Sequence, residues 1–191
     1  MMNNLSASVR QMISVLRYPK LFLFAGRMGK NNRLGPGGRF IRPEEIHLGD
    51  NIYIAPDFHI SARNLKIGNN VIIGPNLLLE CDDHTFKNIG KTIWSTFTVE
   101  RTLGSVTIED DVWIGGNVTI LKNVVIGEGC IVGAASVVTK SLPAYSICVG
   151  SPCRPVKMRF TIEELEEHLS LVKSDYSMNT IIDQLKNHGL I

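Results

Sequence analysis

No aspartate or glutamate occurs in the first 43 residues of the chain. That stretch carries Arg10, Arg17, Lys20, Arg27, Lys30, Arg33, Arg39 and Arg42, so it is locally basic, yet the formal net charge of all 191 residues is only +2. A balance so near neutrality argues against a general nucleic-acid binder, whose electrostatic footprint is a broad excess of Lys and Arg. The four cysteines, Cys81, Cys130, Cys148 and Cys153, form no C-x-x-C pair, and nothing near the N-terminus has the pattern of a secretory signal. Free thiols in a reducing cytoplasm are the expectation. The longest early apolar run, residues 21–25, is flanked by basic residues and falls far short of the roughly 20 apolar residues that span a bilayer. What is present is enough for a real core, because 44% of the residues are apolar and the length suits one domain with a small appendage.

Within residues 1–25, Leu5, Val9, Met12, Ile13 and Leu16 share one helical face, which predicts an amphipathic N-terminal helix. Two readings stay open for it: packing on the body of the protein, or lying as a basic amphipathic segment on an anionic membrane surface. Gly35, Pro36, Gly37 and Gly38 mark a loop before the body begins.

From Leu48 a six-residue beat dominates. It runs through Leu48, Ile54 and Ile60, then after one inserted residue through Ile67, Ile73 and Leu79, and in a second series through Ile108, Ile114, Ile120, Ile126, Val132 and Val138. Leu, Ile and Val make up 54 of the 191 residues, so twelve consecutive hits are not set by composition. Glycine follows in Gly49, Gly68, Gly74, Gly115, Gly127 and Gly133. A helix has no use for this period, because six steps of roughly 100° send successive aliphatics to different sides of the cylinder. Short strands do, since positions i and i+4 face the same way along an extended chain. Position i+4 is mostly apolar or small: Ile52, Phe58, Val71, Leu77, Val112, Val118, Val124, Cys130 and Ser136. Each unit is too small to fold alone, so the pattern predicts stacked units sharing one core, a solenoid.

After Pro143 the repeat fades. Thr161 and Glu164 form a capping-box pair ahead of a predicted helix over residues 161–172, with Ile162, Leu165 and Leu169 on one face, and a second short helix is expected around residues 179–186. The expected organisation is an N-terminal helical and basic segment over 1–45, a β-solenoid over 46–157 interrupted by a loop over 85–105, and a helical tail over 158–191.

The segment VTIEDDVWIGGNVTILKNVVIGEGCIVGAASVVTKSLP, followed by GSPCRPVK, resembles the hexapeptide-repeat acyltransferases. Within that family it is similar to the galactoside, maltose and xenobiotic acetyltransferases and to O-acetyltransferases of bacterial surface polysaccharides, over about residues 46–157. The resemblance implies a mainly β fold, a left-handed parallel β-helix, with the N-terminal helix, a protruding loop and C-terminal helices around it. It also implies a homotrimer with acyl-CoA and acceptor in a cleft between subunits, no metal, and acetyl transfer from acetyl-CoA to a hydroxyl of a saccharide or saccharide-like acceptor.

The beat stops in the stretch LLLECDDHTFKN, at residues 77–88, and resumes only at Ile108. In the family a loop leaves the coil there, overhangs the cleft, and carries at its root the histidine that serves as general base; the matching residue is His84. Neutral imidazole suits the task, because a sugar hydroxyl attacks a thioester only as its proton is taken by a group with a pKa near neutrality. Asp82 and Asp83 are candidates for the acceptor site and for orienting that imidazole, the other reading being that they are solvated or form a turn. Asp57 and His59 fall near the stretch that faces the acceptor in relatives; a plain surface role is the other reading. By the same resemblance Trp113 flanks the pantetheine channel, Gly116 and Ala134 offer backbone contacts, Thr139 and Lys140 lie along the cofactor, and Arg154 and Lys157 reach its adenosine and phosphate end, as basic groups beside a phosphate should. Gly115 and Gly116 are candidate oxyanion donors.

Other classes stay in view. N-acetylation of an amino sugar carried on a nucleotide and O-acetylation of a xenobiotic are variants of the same chemistry. A metal hydratase of the γ-carbonic anhydrase type shares the solenoid but needs a closely spaced histidine pair that this sequence lacks. A noncatalytic solenoid has no structural need for the VVTK and GSPCRPVK side chains.

Overall fold

A computed structural model describes residues 6–84, 86–96, 101–172, 174 and 176–191. Leu5 of the expected helical face, and residues 85 and 97–100 of the expected loop, lie outside the described residues. Helix α1 (Ala7–Arg17) starts at Ser6, whose side chain accepts the N–H of Val9, and ends at Tyr18. Pro19 follows, and its ring disfavours the α conformation in the residue before it; Tyr18 sits at φ −126°, ψ 56°, and a separate short helix α2 (Pro19–Phe24) begins with the proline in its first turn. The single predicted helix is therefore two.

The body is a stack of coils. The first comprises β1 (Arg27–Met28), β2 (Arg33–Leu34) and β3 (Arg39–Ile41); the second β4 (Ile46–Leu48), β5 (Tyr53–Ile54) and β6 (His59–Ser61). The third comprises β7 (Leu65–Ile67), β8 (Ile72–Ile73) and β9 (Leu78–Glu80), after which β10 (Asp82–His84) and β11 (Arg101–Leu103) leave the stack as an antiparallel pair. The fourth coil is β12 (Val106–Ile108), β13 (Trp113–Ile114) and β14 (Thr119–Leu121), and the fifth is β15 (Val124–Ile126), β16 (Ile131–Val132) and β17 (Val137–Val138). A sixth, incomplete coil bridges Leu142 to Ile126 and adds β18 (Ser146–Val149), against which β19 (Arg154–Met158) turns back antiparallel. Corresponding strands pair in parallel to give three sheets, here A (β1-β4-β7-β12-β15), B (β2-β5-β8-β13-β16-β18-β19) and C (β3-β6-β9-β14-β17). The stack thus begins at Arg27, ahead of the expected start at residue 46, because Met28, Leu34 and Phe40 pair in register with Leu48, Ile54 and Ile60.

All twelve residues of the beat point inward, none more than 3% exposed, and so do their i+4 partners from Ile52 to Ser136. Each buried aliphatic contributes about 1.5–3 kcal/mol over exposure, and every coil adds to the core of its neighbours. Between sheets the chain turns sharply through single left-handed residues. Asn31, Asn51, Asn70 and Asp111 stack at the corner from A to B, with φ from 56° to 59°, and Asp57, Asn76 and Asn117 stack at the corner from B to C. Asn and Asp tolerate that conformation better than other L-residues, and here their amides also bond coil to coil, Asn31 to Asn51 at 2.8 Å and Asn76 to Asn117 at 3.0 Å. The glycines that follow the beat have another cause. At Gly115 an added Cβ would lie 2.6 Å from the Ala134 nitrogen, so glycine is required where one coil passes over the next.

The tail folds as expected. Helix α3 (Ile162–Val172) is capped reciprocally, with Glu164 N–H donating to Thr161 Oγ1 at 3.2 Å and Thr161 N–H to Glu164 Oε2 at 2.9 Å. Leu165 joins Ile181 and Leu185 of α4 (Met178–Asn187) over Ala144 and Tyr145, a small second core that covers the end of the stack. Among the described residues no helix is long and apolar enough to cross a membrane.

Candidate active site

Coil 3 is where the stack opens. Instead of turning from sheet C into sheet A, the chain leaves after Glu80 through buried Cys81, and β10 carries Asp82, Asp83 and His84 outward opposite Leu103, Thr102 and Arg101. His84 stands exposed at the outer end of β10. The two aspartates form strand rather than turn. Their carboxylates meet cations from neighbouring coils: Asp82 Oδ2 accepts from Arg42 Nη2 at 3.2 Å, and Asp83 Oδ2 pairs with Lys122 Nζ at 2.7 Å. Both pairs anchor the root of the hairpin to the stack. Arg42 and Lys122 were not singled out by sequence, since nothing local relates Arg42 to an aspartate 40 residues on. Burial, reinforced by the negative charges of Glu80 and Asp82, pushes the Cys81 thiol up to about 11, so beside His84 it is a neutral core group and not a nucleophile.

Beyond its root the excursion presents Phe86, Ile89, Ile93 and Trp94 to solvent, each more than half exposed, while Thr96 is buried.

The other candidates fall along a different edge. Trp113 points outward from sheet B, 53% exposed, in register with Ile72 on one side and Ile131 on the other. Gly116 and Ala134 lie in successive corners from B to C, where Ala135 N–H donates to Gly116 O at 2.9 Å. Arg154 and Lys157 are exposed on β19, opposite Val149 and Ile147, and Arg154 Nη1 donates to Cys153 O at 2.7 Å. Asp57 is the left-handed residue of its corner, φ 63°, which gives its residue type a structural reason of its own. His59 is half-buried on the outer column of sheet C between Arg39 and Leu78. Thr139 and Lys140 follow β17 at the corner from C to A, the edge that carries His84.

Sheet C therefore separates two groups within one chain. Asp82, Asp83, His84, Thr139 and Lys140 occupy its far edge, and Asp57, Trp113, Gly116, Ala134, Arg154 and Lys157 lie at or beyond its near edge. One expectation is corrected here: Gly115 N–H donates to Val132 O at 2.8 Å as part of the coil ladder, so it is committed and does not serve as an oxyanion donor. Among the described residues no group of three or more His, Cys, Asp or Glu side chains could hold a metal ion.

Residues 105–140 match the family model described as bacterial transferase hexapeptide, six repeats. A maltose O-acetyltransferase from Clostridium difficile 630 superposes with a TM-score of 0.67 at 31% identity, covering 74% of both chains. The hexapeptide-repeat acetyltransferase VCA0836 from Vibrio cholerae, complexed with acetyl coenzyme A, superposes with a TM-score of 0.66 at 26% identity, covering 81% of this chain and 85% of that one. Galactoside O-acetyltransferase of Escherichia coli K12 is 31% identical over 133 residues, 68% of this chain and 62% of that protein. For several of the curated relatives the chain spans less than two thirds of the relative's own length. With the repeat confirmed coil by coil and these likenesses running through most of its length, the chain belongs to the hexapeptide-repeat acetyltransferases.

Proposed function

We propose that the protein transfers an acetyl group from acetyl-CoA to a hydroxyl of a saccharide or saccharide-like acceptor, in the building of surface polysaccharide, with His84 as general base. The observation that carries this reading is the exposed His84 on a hairpin whose root is pinned to two coils by Arg42–Asp82 and Lys122–Asp83. With both carboxylates held by cations, Asp82 and Asp83 position the strand that bears the imidazole. The acceptor hydroxyl oxygen attacks the thioester carbonyl carbon as His84 takes its proton; the tetrahedral oxyanion collapses, the C–S bond breaks, and the departing CoA thiolate recovers the proton from the imidazolium. The Gly116 N–H is the remaining backbone candidate for the oxyanion. Trp113, Ala134, Thr139, Lys140, Arg154 and Lys157 hold the acetyl-CoA, the last as a point charge on phosphate. Asp57 and His59 face the acceptor.

The two groups of residues on opposite edges of sheet C support a homotrimer, in which a second copy brings its cofactor edge to the His84 edge of the first. Relatives named for galactoside and maltose O-acetylation support the saccharide acceptor, and one bound to acetyl coenzyme A supports the donor.

The test is thiol release from acetyl-CoA across sugars, oligosaccharides, nucleotide-linked amino sugars and xenobiotic alcohols. Saccharide-dependent release is expected, and His84→Ala lowers kcat by roughly 10²–10⁴ with an unchanged circular dichroism spectrum. Failure to turn over acetyl-CoA with any hydroxyl acceptor, or full activity of the folded variant, overturns the reading.

A further inference from the structure

The open end of the solenoid at coil 1 is closed by α1 and Tyr18 through polar groups and by α2 through buried Leu21. Ser14 Oγ accepts the N–H of Leu34 at 2.9 Å, Gln11 Oε1 accepts the N–H of Asn31 at 2.9 Å, and Arg17 Nη1 donates to Leu34 O at 3.3 Å. Tyr18 donates its hydroxyl to Gly35 O at 2.5 Å and accepts from Gly38 N–H at 3.0 Å. These contacts satisfy backbone groups of an end coil that has no further coil to pair with. With these polar groups facing the stack, Val9 and Ile13 are half-buried at the side of α1, and Met12, Val15 and Leu16 are turned away.

Met12, Val15 and Leu16 are 55%, 36% and 74% exposed, whereas Ser14 on the opposite side is 2% exposed. Helix α2 repeats the arrangement. It buries Leu21 and exposes Lys20, Leu23 and Phe24, which lie three and four residues apart on one face. Arg27, Lys30 and Arg39 of the same segment are also exposed, and the first acid in the chain is Glu44.

We infer that α1 and α2 dock on the surface of an anionic lipid bilayer. Met12, Leu16, Leu23 and Phe24 enter the boundary between headgroups and acyl chains, and Lys20 with the neighbouring basic residues meets lipid phosphates. Charge selects this occupant. The exposed charges of residues 6–43 are all basic. Although Glu44 and Glu45 follow in the turn that packs against α2, like charges dominate when the same face of a second copy is apposed, whereas an anionic surface complements every charge in the segment. None of these residues belongs to the acetyl-transfer machinery, so docking and that activity succeed or fail separately.

The experiment is co-sedimentation of the full chain with vesicles of phosphatidylglycerol and phosphatidylcholine, against vesicles of phosphatidylcholine alone. The protein is expected to partition onto the anionic vesicles about tenfold more strongly or better, less so as ionic strength rises. Leu16→Asp with Phe24→Asp, and separately Lys20→Glu, should each weaken that binding by about tenfold. The replaced side chains are exposed, so fold and turnover of a soluble acceptor should persist. Equal and negligible binding to both vesicle types, or undiminished binding of the double variant, overturns the inference. So does a change in oligomeric mass of the double variant by light scattering, which would assign the face to a contact between copies.

Discussion

A methyl group added at Gly115 would place its carbon 2.6 Å from the Ala134 nitrogen and 2.9 Å from its Cα, both backbone atoms of the next coil. Backbone within a stack gives way far less readily than a side chain, so Gly115→Ala is expected to lose about 1–3 kcal/mol, read as a lower denaturant midpoint with unchanged slope. An unchanged midpoint would show that the coils can part there. The recurrence of glycine after the beat was visible in the sequence, but its cause was not, since six such glycines read equally well as turn formers. The corner residues are the converse. Asn51, Asn70 and Asn117 are conspicuous only once φ is known to be positive at each of them. His84 was legible because it stands where a periodic pattern fails, whereas Arg42 and Lys122, which hold the aspartates next to it, carry no local mark.

Among the elements, α1 departs furthest from its pattern. An apolar face ordinarily packs inward, and here Gln11, Ser14 and Arg17 are turned to the end coil instead, where they satisfy backbone groups that no further coil can pair with. Ser14→Ala leaves the Leu34 N–H without its acceptor and should cost about 1–3 kcal/mol. Ser14→Thr, which keeps the hydroxyl, should lose less, and equal loss in urea unfolding of the two variants would argue that packing and not the hydrogen bond is at stake. The first coil was readable in principle. Met28, Leu34 and Phe40 keep the six-residue spacing, but only Leu34 belongs to the aliphatic set by which the beat was followed. Antiparallel pairing of β10 with β11 was out of reach, since paired aspartates are poor strand formers in isolation and gain their place here from cations on other coils.

On the scale of the whole molecule, the stack shields several acids that ionise in alkali. Burial, with nearby carboxylates, holds Cys81 at about 11, and burial with the neighbouring Cys148 does the same for Cys153. Burial and the hydrogen bond to Glu109 raise Tyr176 to about 12, and burial with the bond to Glu128 pushes Tyr145 up as well. Each pKa is raised in the folded state, so between about pH 9 and 12 the unfolded chain binds fewer protons than the native one. Stability from these groups is thus full below their unfolded values and falls as pH rises through the folded ones. The urea midpoint should decline steadily above pH 9, and Cys81 and Cys153 should resist alkylation in the native state at neutral pH. Prompt modification would contradict their burial. At this scale the sequence by itself determined the solenoid, its inward residues and the place where it is interrupted, because all three follow from spacing along neighbouring stretches of chain. Which edge of sheet C each candidate residue occupies, how α1 turns, and which cations hold the hairpin were decided only by the tertiary structure. Those outcomes depend on coils that are distant in sequence and adjacent in space, and on backbone groups whose partners exist only once the coils have stacked.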